Sequence, residues 1–253
     1  MRLAVAEPII RALADSRAVD DIREMLARGA RELGFDHFAL NLDFAHGPEE
    51  GTSLLFHDYP SAWAETYVAF DLGKTDPIRR AGDQRMHGFP WSNVSDIIPL
   101  TSSEVRTFRT GQHHGLVDGY TIPRHLPGQA SGTCTFALGP DGRLPVAMLD
   151  VAELVGAAAL AATWRLARHG FVPRWRRPTD RQRDCILWAA RGKTDWEISR
   201  ILGISHGTVI QHLKEARERY NTRKRASLVV CALFDGLISF SDIFRWWYTQ
   251  GGG

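Results

Sequence analysis

Between Thr194 and Asn221 the chain reads TDWEISRILGISHGTVIQHLKEARERYN, and the Gly203-Ile204-Ser205 step in its middle limits what the chain can become. Thr194 opens a first helical segment as an N-cap, Gly203 stops it, and Ser205 opens the next almost at once. Two short helices joined by so tight a turn form a helix-turn-helix. The second helix divides into two faces. Val209, Leu213, Ala216 and Tyr220 recur at helical spacing and face inward, whereas Gly207, Ile210, Gln211, Lys214 and Glu218, flanked by Arg217, face out. The exposed N-terminal half of such a helix enters the DNA major groove. There Gly207 lets the backbone come close, beside Thr208 and Ile210. Gln211 can pair bidentately with adenine, and Lys214 can reach guanine or a phosphate. Lys193, Thr194, Arg223, Lys224 and Arg225 are expected to contact the DNA backbone, which positions without specifying.

Flanking segments complete a small bundle. TDRQRDCILWAARG starts at Thr179 as an N-cap and stops at Gly192, and RASLVVCALFDGLI (225–238) closes a set of four helices. Helical hairpins with this turn occur in proteins that never meet DNA, but charge argues for it here. Residues 174–253 carry a net +7 and residues 1–173 a net −5, so only the C-terminal part suits a polyanion.

The stretch HGFVPRWRRPTDRQ (169–182), with two prolines and four arginines and no apolar period, reads as the boundary. The expected organisation is a ligand domain over 1–170, a linker over 171–178, a helical domain over 179–240 and a tail over 241–253. At 253 residues both domains can bury a core. The three scattered cysteines, Cys134, Cys185 and Cys231, suit a reducing cytoplasm. The N-terminus does not read as a signal peptide. The apolar run LVGAAALAATW (154–164) is expected to be too short to span a bilayer, so no membrane role is expected.

Before the boundary the pattern is mixed. VDDIREMLARGARELGF (19–35) puts Ile22, Met25, Leu26, Ala30 and Leu33 on one helical face with Gly34 as its stop. HFALNLDF (37–44) alternates as a half-buried strand does, and SLLFHDY (53–59), GYTIPRHL (119–126) and GTCTFALG (132–139) also read as strands. VRTFRTGQHHG and ELVGAAALAATWRLARHG read as helices. The fold class expected is α+β: an N-terminal α/β/α sandwich with an antiparallel sheet, followed by an all-α four-helix helix-turn-helix domain.

YPSAWAETYVAFDLGKTDPIRRAGDQRMHGFPW (59–91) gathers Tyr59, Trp63, Tyr67, Phe70 and Trp91 around Asp76, which Pro77 holds extended. Pro60 suits the first position of a helix, on which Tyr59, Trp63, Tyr67 and Phe70 would share a side. Aromatic stripes are usually core, and for Tyr67 and Phe70 that reading stands level with a functional one. A buried carboxylate needs partners, so Asp76 points to a ligand.

These residues carry a resemblance. RGKTDWEISRILGISHGTVIQHLKEARERYN is similar to the DNA-binding domain of LuxR-type transcription factors, whose pattern runs G-K-T-x-x-E-I-A-x-x-L-G-I-S-x-x-T-V-x-x-H-L. The likeness runs from Thr179 to about Ile238, with Ile186 and Gly192 at recurrent positions. Gln182 departs from the pattern, where glutamate is usual, and puts that side chain's contacts in doubt. The spacing Y-x-x-x-W-x-x-x-Y…D-P…W, together with GLVDGYTIP (115–123), resembles the autoinducer-binding domain of quorum-sensing regulators. A phosphoryl-receiver front end would need alternating βα units instead.

The resemblance implies an N-acyl-homoserine lactone ligand, with Trp63 donating to the lactone carbonyl, Asp76 accepting from the amide N–H and Tyr59 meeting the acyl carbonyl. Thr135 would assist Tyr59, and Trp91 would pack against the lactone ring. It further implies a homodimer on a palindromic duplex site, and contact with RNA polymerase if the protein is an activator. A solo receptor for a non-lactone signal and an antagonist forming inactive heterodimers are the alternatives. Retention of Tyr59 and Trp63 opposes the first, and the intact basic helix opposes the second. The sequence offers no catalytic residues, cofactor motif or metal set: His113 and His114 are adjacent on a helix and point apart. Trp246, Trp247 and Tyr248 are too apolar for a free tail and are expected to dock on the N-terminal domain or a dimer mate.

Overall fold

The computed structural model describes residues 3–44, 52–125, 131–170 and 178–244. All of the expected linker except Pro178 lies outside the described residues, as does the tail beyond Phe244 with Trp246, Trp247 and Tyr248. The described residues divide into two compact units, the first within residues 3–170 and the second over residues 178–244.

The first unit runs α1 (Leu3–Asp15), α2 (Val19–Leu33), β1 (His37–Phe44), β2 (Thr52–His57), α3 (Ser61–Ala69), α4 (Pro77–Gly82), β3 (Phe89–Pro90), α5 (Val94–Ile97), α6 (Ser102–His113), β4 (Asp118–Arg124), β5 (Ser131–Leu138) and α7 (Leu149–Gly170). Its five strands lie in the order β2-β1-β5-β4-β3. β3 with β4 and β4 with β5 are antiparallel, with Thr121 opposite Thr135. β1 and β2 are neighbours too close in sequence for a parallel crossover. The sequence pattern did not reveal α1, whose interior holds Pro8, or β3, which is two residues long.

On one face of the sheet lies α7, with α1 and α2 packed against it. Approach is close: a Cβ on Gly156 would sit 2.9 Å from Ile122 and 3.3 Å from Cys134. Phe35 meets Phe136 on this side at 5.5 Å between ring centres. Glu153 on α7 accepts from the Gly88 N–H at 2.7 Å, from the Tyr120 hydroxyl at 3.3 Å and from Arg124 at 3.0 Å, tying the helix to β4 and the approach to β3. The run 154–164, expected to be too short to span a bilayer, lies within α7, and the stretch Val146–Ala167 that holds it is long and apolar enough by length and composition to cross one. Here it is a core helix. Val151, Ala152, Val155, Ala159 and Leu160 are buried, and Arg165 donates to the Leu13 and Ser16 carbonyls.

The other face is covered by short elements, α3 to α6, which form a second core with Phe89, Trp91 and Leu116. Pro77 starts α4 with the Asp76 side chain as its cap, accepting from the Ile78 N–H. A two-pronged pair joins α4 to α6: Arg80 Nε meets Glu104 Oε1 at 2.5 Å and a second Arg80 nitrogen meets Oε2 at 2.8 Å.

The second unit is helical: α8 (Asp180–Ala190), α9 (Asp195–Leu202), α10 (His206–Arg219), α11 (Arg225–Phe234) and α12 (Phe240–Ile243). Thr179, Thr194 and Ser205 are the N-caps of α8, α9 and α10, and Gly192 and Gly203 take left-handed φ of 79° and 65°. Ile186, Ile198, Val209, Leu213, Ala216 and Leu228 make the core. A fifth helix, α12, was not expected, because it is a single turn. Ser239 caps it, Ile243 packs on the core, Arg183 donates to the Leu237 carbonyl at 2.9 Å and Arg191 Nε to the Asp242 carbonyl at 3.1 Å. The start of the expected tail therefore folds onto its own helical unit. A chain ending at Ile238 should be less stable than one ending at Phe244 by about 1–2 kcal/mol, the worth of the Arg191 bond to Asp242 and the part-buried Ile243 side chain. Thermal melts of the two chains measure the difference, and equal midpoints would show that α12 contributes nothing.

Candidate functional site

Over the second face of the sheet lies a cavity that encloses, with its open mouth, about 950 Å³ of space. Tyr59, Trp63, Tyr67, Asp76, Pro77, Trp91 and Thr135, all singled out from sequence, line it together. Each arrives from a different place. Tyr59 follows β2, Trp63 and Tyr67 are one turn apart on α3, Asp76 and Pro77 begin α4, Trp91 follows β3, and Thr135 is on β5. Phe70 is the correction. The helix ends at Ala69, Asp71 turns the chain in a left-handed conformation (φ 49°), and Phe70 is 74% exposed. Pro60 is the N-cap rather than the first helical residue, so Tyr59 precedes the helix.

Asp76 is held at both oxygens. Oδ1 accepts from the Ile78 N–H at 2.9 Å and Oδ2 from the Tyr67 hydroxyl at 2.8 Å. Burial pushes its carboxyl above the ordinary carboxylate range, opposed by these two donors and by Arg79. Burial, then the Asp76 charge, raises both Tyr59 and Tyr67, so the two hydroxyls stay protonated and can donate. Tyr67, which sequence left open between core and function, thus orients Asp76 while its ring meets Trp63 at 5.4 Å. The Tyr59 hydroxyl and the Trp63 indole N–H make no hydrogen bond to a described residue.

Thr135 makes no hydrogen bond to Tyr59 among the described residues. Its hydroxyl pairs with that of Thr121 at 2.9 Å, and Thr121 in turn accepts from the Trp91 indole N–H at 2.9 Å. With its donor taken, Trp91 offers the cavity only its ring. Thr121 was missed in the sequence, although alternation along GYTIP and GTCTF could have set it opposite Thr135. Gly119 makes room for the ring: a Cβ there would fall 2.7 Å from Trp91 and 2.8 Å from the Phe136 carbonyl. At the β1–β2 side, Asn41 and His57 also line the cavity and were not expected; His57 Nδ1 accepts from the Tyr59 N–H at 3.2 Å.

In the helical unit, Gly207, Ile210, Gln211, Lys214 and Glu218 are exposed on α10, while Val209, Leu213, Ala216 and Tyr220 are buried. Thr208 and Arg217 are half-buried beside them. Thr194 is occupied as the α9 cap, exchanging bonds with Glu197, to which Lys193 also donates at 3.2 Å. Arg225 is not a free DNA-backbone contact: it pairs with Asp195 and donates to the Lys193 carbonyl, fastening α11 to α9. Gln182 takes up the capping role, its Oε1 accepting from the Thr179 N–H at 3.1 Å.

Two outcomes follow from this geometry. Thr121→Val should leave the buried Trp91 N–H without an acceptor and cost about 1–3 kcal/mol, read as a lower urea midpoint; an unchanged midpoint would show the hydroxyl chain to be idle. Arg80 holds the Glu104 carboxyl at about 2, below its ordinary 4.5. Because the folded value lies below the unfolded one, the pair's stabilisation is complete above 4.5 and is lost as pH falls from there towards 2. Glu104→Gln should flatten that acid limb of the melting profile, and a limb as steep as the wild type's would contradict it.

Residues 18–166 match the family model described as autoinducer binding domain, and residues 179–232 match the bacterial regulatory proteins, luxR family. The chain is 34% identical to the HTH-type quorum sensing-dependent transcriptional regulator RpaR of Rhodopseudomonas palustris over 184 residues, 73% of this chain and 74% of that one. It is 24% identical to the transcriptional activator protein LuxR of Aliivibrio fischeri over 91% of this chain and 93% of that one. The crystal structure of Escherichia coli SdiA shares the fold, with a TM-score of 0.74 at 22% identity, covering 93% of this chain and 98% of that one. So does SdiA in complex with octanoyl-rac-glycerol, at 0.74 and 21% over 94% and 96%. Sandwich and helix-turn-helix alike are those of transcriptional regulators rather than enzymes, and the chain belongs to the luxR family, with an autoinducer-binding domain ahead of its DNA-binding one.

Proposed function

We propose that this regulator takes an N-acyl-homoserine lactone into the cavity beside β4 and β5. One observation carries the reading: two donors without a hydrogen-bond partner among the described residues, on Tyr59 and Trp63, share an otherwise mostly apolar cavity with the Asp76 carboxylate. Such a ligand has the complementary groups. Its lactone carbonyl would accept from Trp63, its acyl carbonyl from Tyr59, and its amide N–H would donate to Asp76, which Pro77 and Tyr67 hold in place. Trp91 would cover the lactone ring, Thr135 would brace Trp91 through Thr121, and the acyl tail would lie on apolar walls such as Ala39 and Leu55. Binding would stabilise the first unit by mass action.

The DNA-reading face would be the outer side of α10. Gln211, Ile210 and Lys214 would meet base edges, Gly207 would allow close approach, and Lys193, Thr194, Thr208 and Arg217 would hold the backbone. One such helix spans few base pairs, so a homodimer on a palindromic site follows from symmetry. A cytoplasmic setting, contact with RNA polymerase if the protein activates, and domains over 1–170 and 179–240 belong to the same reading.

A second reading is an acylglycerol, which the E. coli relative SdiA holds in one solved structure; a glycerol hydroxyl would take the place of the amide N–H. Calorimetric titration with a panel of acyl-homoserine lactones and octanoyl-glycerol separates the two. Asp76→Asn, which turns an N–H towards the ligand's own, should cost about 1.5–3 kcal/mol of lactone affinity, and Trp63→Phe about 0.5–1.5 kcal/mol. Binding of octanoyl-glycerol alone would favour the second reading, and lactone binding that ignores Asp76→Asn would sink the first.

A further inference from the structure

The side chain on α10 best suited to reading a base is already held in the free protein. Gln211 Nε2 donates to Glu215 Oε1 at 2.8 Å, one turn further along the helix. Glu215 Oε2 accepts from Gln182 Nε2 at 2.7 Å. Gln182 is 1% exposed and fixed in turn, with its Oε1 on the Thr179 N–H at 3.1 Å and its own N–H on the Thr179 hydroxyl at 3.3 Å. The chain of bonds therefore runs from the cap of α8, through a buried amide, to a carboxylate and on to Gln211.

Each link has one chemical orientation. A backbone N–H needs an acceptor, so Gln182 must turn its oxygen to Thr179 and its nitrogen to Glu215. An ionised carboxylate only accepts, so Gln211 must turn its nitrogen to Glu215. A free glutamine presents its oxygen and nitrogen in either order and loses rotamer freedom when it binds. Tethered in this way, Gln211 keeps its oxygen and one N–H available in a fixed order, which is the pair a bidentate contact to adenine requires.

We propose that Glu215, anchored by Gln182, is a positioning residue for base recognition: it sets the donor–acceptor order that Gln211 presents and so the base that α10 selects. This rests on α10 being the DNA-reading helix, and the test keeps the two ideas apart. Two variants break the tether differently. Glu215→Ala removes the carboxylate. Gln182→Glu keeps an acceptor for the Thr179 N–H, so the cap of α8 survives, but sets one carboxylate against another.

The full-length protein and its variants are each selected against a duplex library with a randomised 20-base-pair core, and the bound fraction is sequenced. The wild type should prefer one base at one position in each half-site by roughly tenfold, the scale of a bidentate contact. Gln211→Ala should abolish that preference. Glu215→Ala and Gln182→Glu should each weaken it at least threefold at the same position and leave the other positions unchanged. In the Gln211→Ala background, Glu215→Ala should add nothing there, whereas a merely structural role would lower binding to all sequences and the melting point together. If Gln211→Ala loses the preference while both tether variants keep it, the positioning role is wrong and the DNA-reading face stands. If the wild type enriches no sequence, or Gln211→Ala changes nothing, the DNA-reading face itself is wrong.

Discussion

Strands β4 and β5 are buried on both faces, and the two faces are covered in different ways. One meets a long helix at a distance so short that Gly156 has no room for a side chain. The other meets four short helices whose ends, caps and connecting turns cannot lie flat on a twisted sheet. Aromatic rings fill part of the gap, and what they leave is the cavity. An apolar surface left uncovered in this way favours further burial. The polar groups that face it are few, and two of them sit at element boundaries: Tyr59 after the end of β2 and Asp76 at the start of α4. The site is therefore a product of incomplete packing, framed by residues that also start and stop secondary structure.

Much of this could be read from the sequence, and the parts that could not share a cause. Strong periodic or punctuated segments were legible: α2 with Gly34, β1 with its alternating Phe38, Leu40 and Leu42, and every cap from Thr179 to Ser205. The cavity-lining residues Tyr59, Trp63, Asp76 and Trp91 were legible because they are unusual in kind. What was hidden was tertiary. Phe70 has the right spacing for the cavity but falls where α3 ends. Thr121 is an ordinary threonine until the β4–β5 register sets it across from Thr135. Arg225 and Gln182 looked like loose charge and a missing charge, and only the packing of the helices gives them Asp195 and Glu215. The apolar run in α7 could be weighed only once the sheet beneath it was known.

In the helical unit, order reaches the functional surface from the caps inward. Thr179, Thr194 and Ser205 each satisfy the first N–H groups of a helix, and the left-handed glycines 192 and 203 end two of them cleanly. The turn between α9 and α10 consequently leaves little freedom in how α10 is displayed. Its inner face is apolar and its outer face polar and exposed, so rigidity and accessibility belong to the same fourteen residues.

The two bonds that Asp76 makes within the protein bear on molecular discrimination. A site rejects a wrong ligand strongly when that ligand strands a buried polar group. Asp76 retains the Ile78 N–H and the Tyr67 hydroxyl whatever enters, so a ligand without a donor leaves it poorly served but not abandoned. Trp63 and Tyr59 make no such bond to a described residue, so under the proposed reading a ligand without acceptors would shut their N–H and O–H away from water with nothing in exchange. For the proposed ligand, the cavity would thus be stricter about carbonyl oxygens than about the amide N–H, and acyl compounds that keep their carbonyls would be the signals able to compete with it.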